Sequence, residues 1–390
     1  MKTTRRKFLN LLGTASGCAA LNIVPQRVLS RDAPGSKIVM GMIGVGGMGA
    51  VNLGAFLNLN DVVVRAVCDV NRDKMEAAKA RVDRHYGNRG CGTVNDYREL
   101  CARTDIDAVM IATPNHSHAA IGIAAAQAGK DIYGETPFSH TLEEGCALLR
   151  AVTEKQCVWQ TGSWQRSQRH FRKAVAAVRN GRLGTVARIE VGLPGGGRGP
   201  AAHPAPLPPP PALDWKAWLG TAPARAYQGV CDFHWRWVSA WGGGMLADWI
   251  GHHGDIALWG AGRHDAPVSI TGNGIYPRDG IFDTATAFSF RCVYRDGLEL
   301  VVADGGRLEK GVGVRWIGRD GTWVWVTRGA LQASYPDILA EVDENVLGPQ
   351  AGHHRNFIDC VKTRQSPLSP AASAHCAASL GHLGEIAMRG

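Results

Sequence analysis

Asp248 and His252 stand four residues apart in the run Gly242-Gly243-Gly244-Met245-Leu246-Ala247-Asp248-Trp249-Ile250-Gly251-His252-His253-Gly254-Asp255. If this run is helical, the two side chains lie one above the other on one face. A carboxylate beside an imidazole fixes its orientation and raises its basicity. Such a pair suits removal of a hydroxyl proton while hydride leaves the adjacent carbon. Asp255, three residues beyond His252, is placed to orient the ring from the other side. His252 and His253 also raise the question of a metal, but adjacent helical residues point about 100° apart, so one ion cannot easily take both. No metal is assigned; ligation and a purely structural histidine pair remain as alternatives.

Hydride chemistry needs a carrier, and a second group of residues offers it a seat. Lys37 to Ile43 reads as a short apolar strand, Gly44-Val45-Gly46-Gly47-Met48-Gly49 as a turn, and Ala50 to Leu59 as a helix. Gly44 permits the tight turn, Gly46 lets backbone approach a pyrophosphate, and Gly49 lets the helix pack closely on the strand, with Met48 in the same loop. Alone the pattern is weak. Here a second β-rich run, Val62 to Cys68, ends at Asp69, placed to accept from a ribose 2′-hydroxyl. A carboxylate there repels a 2′-phosphate, so NAD is favoured; Arg72, three residues on, keeps NADP open.

The elements that must position these groups alternate strand with helix. Ala108 to Thr113 is a buried strand ending at Pro114-Asn115-His116-Ser117-His118, followed by an alanine-rich helix to Gly129; Asp131 to Tyr133 is a strand opening onto Gly134-Glu135-Thr136-Pro137. Thr141-Leu142-Glu143-Glu144 has capping-box spacing and starts a helix to about Lys155, and Val158 to Thr161 closes the series. The alternation implies a doubly wound parallel sheet with its ligand at the carboxyl ends of the strands. Thr113, Asn115, Glu135 and Thr136 fall on that edge.

The second half changes character. After a helix near Phe171 to Asn180, β-like runs cover Thr185 to Leu193, Thr284 to Val293, Leu298 to Ala303, Val312 to Gly318 and Thr322 to Val326, joined by turns such as Arg295-Asp296-Gly297. A mostly antiparallel sheet is expected. The loop Gly195 to Pro211 is too rich in Gly and Pro for helix or central strand and suits extended polyproline II. Seven of the twelve tryptophans lie between Trp215 and Trp259. Core packing is the simpler explanation for any one of them; Trp235, Trp237 and Trp241 are the better candidates for stacking on a sugar face.

Ahead of the glycine turn, Thr4-Arg5-Arg6-Lys7-Phe8-Leu9 opens a basic segment and Leu9 to Val24 is modestly apolar, the pattern of a twin-arginine export signal. Asn10, Gly13, Ser16, Gly17 and Asn22 interrupt it too often for a stable membrane span. The expected organisation is a leader over 1–33, a dinucleotide-binding domain over 34–162, and a substrate and oligomerisation domain over 163–390. Six basic residues fall in the leader, so the +9 formal charge points to no nucleic-acid or membrane partner for the body. The ten cysteines show no C-x-x-C pair or metal-type spacing and read as small buried hydrophobes.

Taken together, Gly44 to Gly49 with Asp69, Ala112-Thr113-Pro114-Asn115-His116-Ser117-His118, Glu135-x-Pro137, and Gly242-Gly243-Gly244 leading to Asp248-x-x-x-His252 resemble the Gfo/Idh/MocA oxidoreductase family. The resemblance implies an α/β protein: a Rossmann domain, then an α/β domain with a large, open, mostly antiparallel sheet that often forms the interface of a homodimer or homotetramer. It also implies bound NAD(P) and redox chemistry at a sugar or cyclitol carbon. Asp248 and His252 take the positions of the family's acid/base pair. Thr113, Asn115, His118 and Glu135 take positions lining the cofactor, and Gln165 and Arg166 lie in a segment that approaches nicotinamide or substrate.

One departure matters: where the family turn reads Glu-Lys-Pro, its lysine assisting proton transfer, this chain has Thr136, the third catalytic candidate. A hydroxyl can donate a hydrogen bond but supplies no positive charge, a loss of about 2–4 kcal/mol of transition-state stabilisation unless another group substitutes. The expected function is an exported oxidoreductase with tightly bound NAD acting on a sugar or glycoside in the periplasm, carried there by the twin-arginine translocon. The alternatives are an NAD-dependent glycosidase working by transient oxidation and elimination, and a catalytically lapsed sugar- or dinucleotide-binding protein.

Overall fold

Strand β1 (Ile38–Ile43) is almost wholly buried, and the turn after it opens directly into helix α1 (Gly47–Leu57). The computed structural model describes residues 37–197, 204–230, 233–350 and 352–390; the leader expected over 1–33 lies outside these residues. The chain continues through β2 (Val62–Cys68), α2 (Arg72–Tyr86), β3 (Gly92–Val94), α3 (Tyr97–Ala102), β4 (Ala108–Ile111), α4 (Asn115–Gln127), β5 (Asp131–Gly134), α5 (Leu142–Glu154) and β6 (Trp159–Thr161). The six strands form one parallel sheet in the order β3-β2-β1-β4-β5-β6. Strand order reverses between β1 and β4, which opens a crevice at their carboxyl ends. The capping box forms as expected: Thr141 accepts from the Glu144 backbone N–H while the Glu144 carboxylate accepts from that of Thr141.

A 3₁₀ turn (Trp164–Ser167) and α6 (Arg169–Arg179) lead to β7 (Val186–Leu193), then α7 (Trp215–Leu219), a 3₁₀ turn (His234–Trp237), α8 (Gly244–Trp249), a π turn (Ile250–Gly254) and α9 (Asp255–Ala261). The rest is β8 (Ser269–Ile275), β9 (Ala287–Val293), β10 (Glu299–Asp304), β11 (Gly313–Gly318), β12 (Trp323–Thr327), β13 (Ala330–Ala333), α10 (His353–Thr363) and α11 (Ala371–Arg389). The seven strands pair in the order β13-β12-β11-β7-β10-β9-β8. Only β7 and β10 are parallel; every other pairing is antiparallel. The sequence pattern had not marked β3, β8 or β13. The first and last are very short, and β8 carries Gly272 and Gly274 and alternates only between exposed and half-buried positions.

Phe288, Phe290 and Trp316 pack beneath α6, the 244–261 segment and α11 in the core of the second sheet. Helix α10 returns to the first: Phe357, Ile358 and Val361 join Phe56 and Tyr133 in the core beside β1 and β2. Residue 162 thus falls just after β6, while a helix from the chain's far end completes the first layer.

Candidate active site

A cavity of about 1440 Å³ runs from the glycine turn to the 244–252 segment. It exceeds the roughly 300–1,000 Å³ typical of single small-ligand sites and has room for a dinucleotide and a second molecule. At one end Gly44 sits at φ +76°, and a Cβ there would lie 2.6 Å from the Ala112 carbonyl oxygen. A Cβ on Gly49 would lie 1.9 Å from the Gly44 carbonyl oxygen, so only glycine lets α1 approach. Gly46 and the partly exposed Met48 line the wall. Asp69 accepts from the Val45 and Asn71 backbone N–H groups (2.9 and 2.8 Å), so it fixes the turn that it adjoins. Further along, the Thr113 hydroxyl is buried without a protein partner. This glycine cradle, the carboxylate at the end of β2 and the orphaned hydroxyl fit a dinucleotide.

Glu135 lies beneath the cavity. Its carboxylate accepts from Asn52 Nδ2 (2.8 Å), and burial pushes its pKa up to about 7 against the opposing pull of its hydrogen bonds. Asn52 Oδ1 meets His354 Nε2 at 2.8 Å, and the His354 ring stacks on Tyr133. Asn52 and His354 belong to no motif in the sequence, because they come from α1 and α10, some 300 residues apart in the chain. His118, expected along the cofactor, is instead buried behind the wall. Its ring lies between the carbonyl oxygens of Thr113 and Pro137, 2.7 Å from each, and so braces the two strand ends that carry Thr113 and Thr136.

At the other end, Thr136 Oγ1 lies 3.4 Å from His252 Nε2. Burial, and secondarily the Arg328 charge, depress the His252 pKa to about 3, so the ring is neutral at pH 7. Asp248 does not reach it. The two residues stand on either side of the change from α8 to the π turn Ile250–Gly254, and no hydrogen bond joins them. Asp248 pairs with Arg236 (2.6 Å) and accepts from Asn115 Nδ2 (3.4 Å); burial raises its carboxyl against the pull of Arg236. His253 points the other way, into the core, with Nδ1 2.9 Å from the Gly192 carbonyl oxygen. Among the described residues no cluster of three or more His, Cys, Asp or Glu side chains is arranged to hold a metal.

Arg166 does not line the cavity: its guanidinium is buried, forks onto Asp255 with two 2.7 Å hydrogen bonds, and donates to the Leu368 carbonyl. Asp255 is thereby committed to Arg166 and does not orient His252. Trp241 is fully buried against Trp215 and Trp218, and Trp237 packs with Phe282, so neither forms the wall. Trp235 does, joined by Trp164, Trp218, Trp249 and Phe233.

Both halves match models of one family: "Oxidoreductase family, NAD-binding Rossmann fold" over residues 38–163, and "Oxidoreductase family, C-terminal alpha/beta domain" over residues 200–390. The chain belongs to the Gfo/Idh/MocA oxidoreductase family. NAD is accordingly its cofactor, and its nicotinamide would supply the hydride acceptor or donor. The chain is 32% identical over 155 residues to the uncharacterized oxidoreductase YrbE of Bacillus subtilis, covering 40% of this chain and 44% of YrbE. It is 34% identical over 154 residues to Glycosyl hydrolase family 109 protein 1 of Shewanella sp. (strain MR-4), covering 38% of this chain and 34% of that one. The matches thus span less than half of either relative. Its fold is similar to that of the WlbA dehydrogenase from Bordetella pertussis, solved with NADH and UDP-GlcNAcA (TM-score 0.66, 18% identity, covering 90% and 97% of the two chains). It is also similar to levoglucosan dehydrogenase solved with NADH (TM-score 0.62, 19% identity, covering 91% and 97%).

Proposed function

We propose that this protein is an exported sugar oxidoreductase that keeps its NAD bound, with neutral His252 taking the proton of the reacting hydroxyl. The carrying observation is the placement of His252 Nε2 beside Thr136 at the cavity end walled by Trp164, Trp235 and Trp249. Rings of this kind pack against the apolar faces of sugars, and the WlbA and levoglucosan dehydrogenase complexes, with UDP-GlcNAcA and levoglucosan, lend support by analogy of fold. Asp248, held by Arg236, acts on the substrate directly, as a carboxylate facing its hydroxyls, in place of steering the imidazole.

Export carries a consequence for the reaction. NADH released outside the cytosol has no dehydrogenase to reoxidise it, so chemistry that returns the hydride within one active site is favoured. A second reading follows from the similarity to the Shewanella glycosyl hydrolase family 109 protein. In it, a glycoside is oxidised transiently to a keto sugar, which acidifies the neighbouring C–H and permits elimination and water addition before the hydride returns. Protein purified without added nucleotide and mixed with glycosides separates the two. Growth or bleaching of the reduced-nicotinamide absorbance without aglycone release supports the first, and aglycone release without added NAD supports the second. A polypeptide that is empty and takes up no pyridine nucleotide would reject both.

A further inference from the structure

Two arginines line the substrate end of the cavity, and they are in opposite electrostatic situations. Arg236 is neutralised by Asp248 at 2.6 Å. Arg328, in the tight turn between β12 and β13, has no carboxylate within ion-pairing distance among the described residues. Its guanidinium lies between two indoles, 4.6 Å from the Trp164 ring centroid and 4.3 Å from that of Trp249. Its Nε donates to Gln165 (3.0 Å), whose amide in turn donates to the His252 carbonyl oxygen (3.3 Å). The side chain remains solvent-accessible inside the cavity.

The indole faces and Gln165 hold the fork, Arg328 lines the cavity, and no acceptor among the described residues meets its terminal N–H groups. The surrounding titratable groups do not cancel its charge: His252 and His353 are held neutral by burial, and Asp248 is spent on Arg236. Partial burial also lowers the Arg328 pKa. Arginine does not deprotonate in proteins, so it cannot stand in for a proton-transferring lysine; it is a fixed positive fork suited to a planar anion.

We infer that Arg328 is a specificity-determining residue that selects a sugar bearing an anionic substituent, a carboxylate or a sulfate ester, and seats it beside His252. This rests on the sugar reading above but is tested by binding, independently of turnover. The NAD-loaded full chain is titrated calorimetrically with methyl β-glucuronide, glucose 6-sulfate and methyl β-glucoside, at low and high salt.

At least one anionic probe is expected to bind about tenfold or more tighter than the neutral glucoside, with the margin shrinking in salt. Which anion wins assigns the substituent. In Arg328→Gln the ratio of anionic to neutral affinity falls toward one while NAD content is unchanged; Arg328→Lys, keeping charge without the fork, retains part of the preference. Equal affinity for neutral and anionic probes in the wild type, or an undiminished preference in Arg328→Gln, overturns the assignment. A wild type that binds none of the anionic probes also overturns it. Failure of the sugar-oxidoreductase reading has a different signature: anion-selective binding persists, and no sugar changes the nicotinamide absorbance.

Discussion

At the scale of single residues, the site turns on which partner each polar group has taken. His252 is neutral and meets Thr136, with its Nδ1 unpartnered in the protein, so His252→Ala is expected to lower turnover by roughly 10²–10⁴-fold while NAD stays bound. Single-turnover absorbance and nucleotide content measure the two separately, and unchanged turnover would remove His252 from the chemistry. Thr136→Lys addresses the lapsed alternative, since activity appearing only in that variant would mean the natural chain binds without turning over. Gly251 passes so close to Thr136 that a Cβ at 251 would lie 2.9 Å from the Thr136 Cβ, so a longer side chain at 136 must extend along the cavity. Arg236 opposes the burial-driven rise of the Asp248 carboxyl; in Arg236→Gln that restraint goes and the carboxyl pKa rises further. If turnover needs Asp248 ionised, the acidic limb of the kcat profile moves to higher pH, and an unmoved limb would mean that the carboxylate is dispensable.

At the scale of elements, the glycine turn and the helix that follows it depend on backbone proximity. Gly49→Ala would drive a methyl into the Gly44 carbonyl, and loss of NAD binding in a chain that still folds is the expected result by titration. The Arg166–Asp255 pair, buried at both ends, ties the turn after β6 to the start of α9. Asp255→Ala leaves the guanidinium unpaired in the interior, and chemical denaturation should show a loss of about 3–5 kcal/mol. Removing the Thr141 cap with alanine should cost only about 1 kcal/mol, because a cap satisfies one backbone donor at a partly exposed helix end. The π turn has no special residue signature, and Asp248 and His252 lie on either side of its start.

At the scale of the whole molecule, burial of imidazoles sets a direction for stability against pH. His116, His253, His354 and His382 are held near a pKa of 4, and His252 and His353 near 3, chiefly by desolvation. Each is depressed below the usual value of 6.5, so the unfolded chain binds more protons across that interval. The stability they permit is full above about pH 6.5 and is lost as pH falls toward 3. Glu135, raised to about 7, acts in the opposite sense over its own window, losing stability as pH rises through 7. Thermal melts from pH 7.5 down to 4 should show a steadily falling midpoint, and a flat profile would contradict the burial of these rings.

The sequence by itself determined the doubly wound sheet, the glycine cradle with Asp69, the antiparallel second layer and the presence of Thr136 in a position built for charge. Those features are local: periodicity, glycine spacing and capping residues act within a few turns of chain. Tertiary structure alone decided that Asp248 answers to Arg236, that Asp255 holds Arg166, that Trp241 is core while Trp164 and Trp249 form the wall, and that α10 returns to carry His354 to Glu135 through Asn52. These pairings join positions far apart in the chain. Which of several buried charges find each other is set by packing geometry and desolvation, and neither is encoded in the neighbouring residues of any one segment.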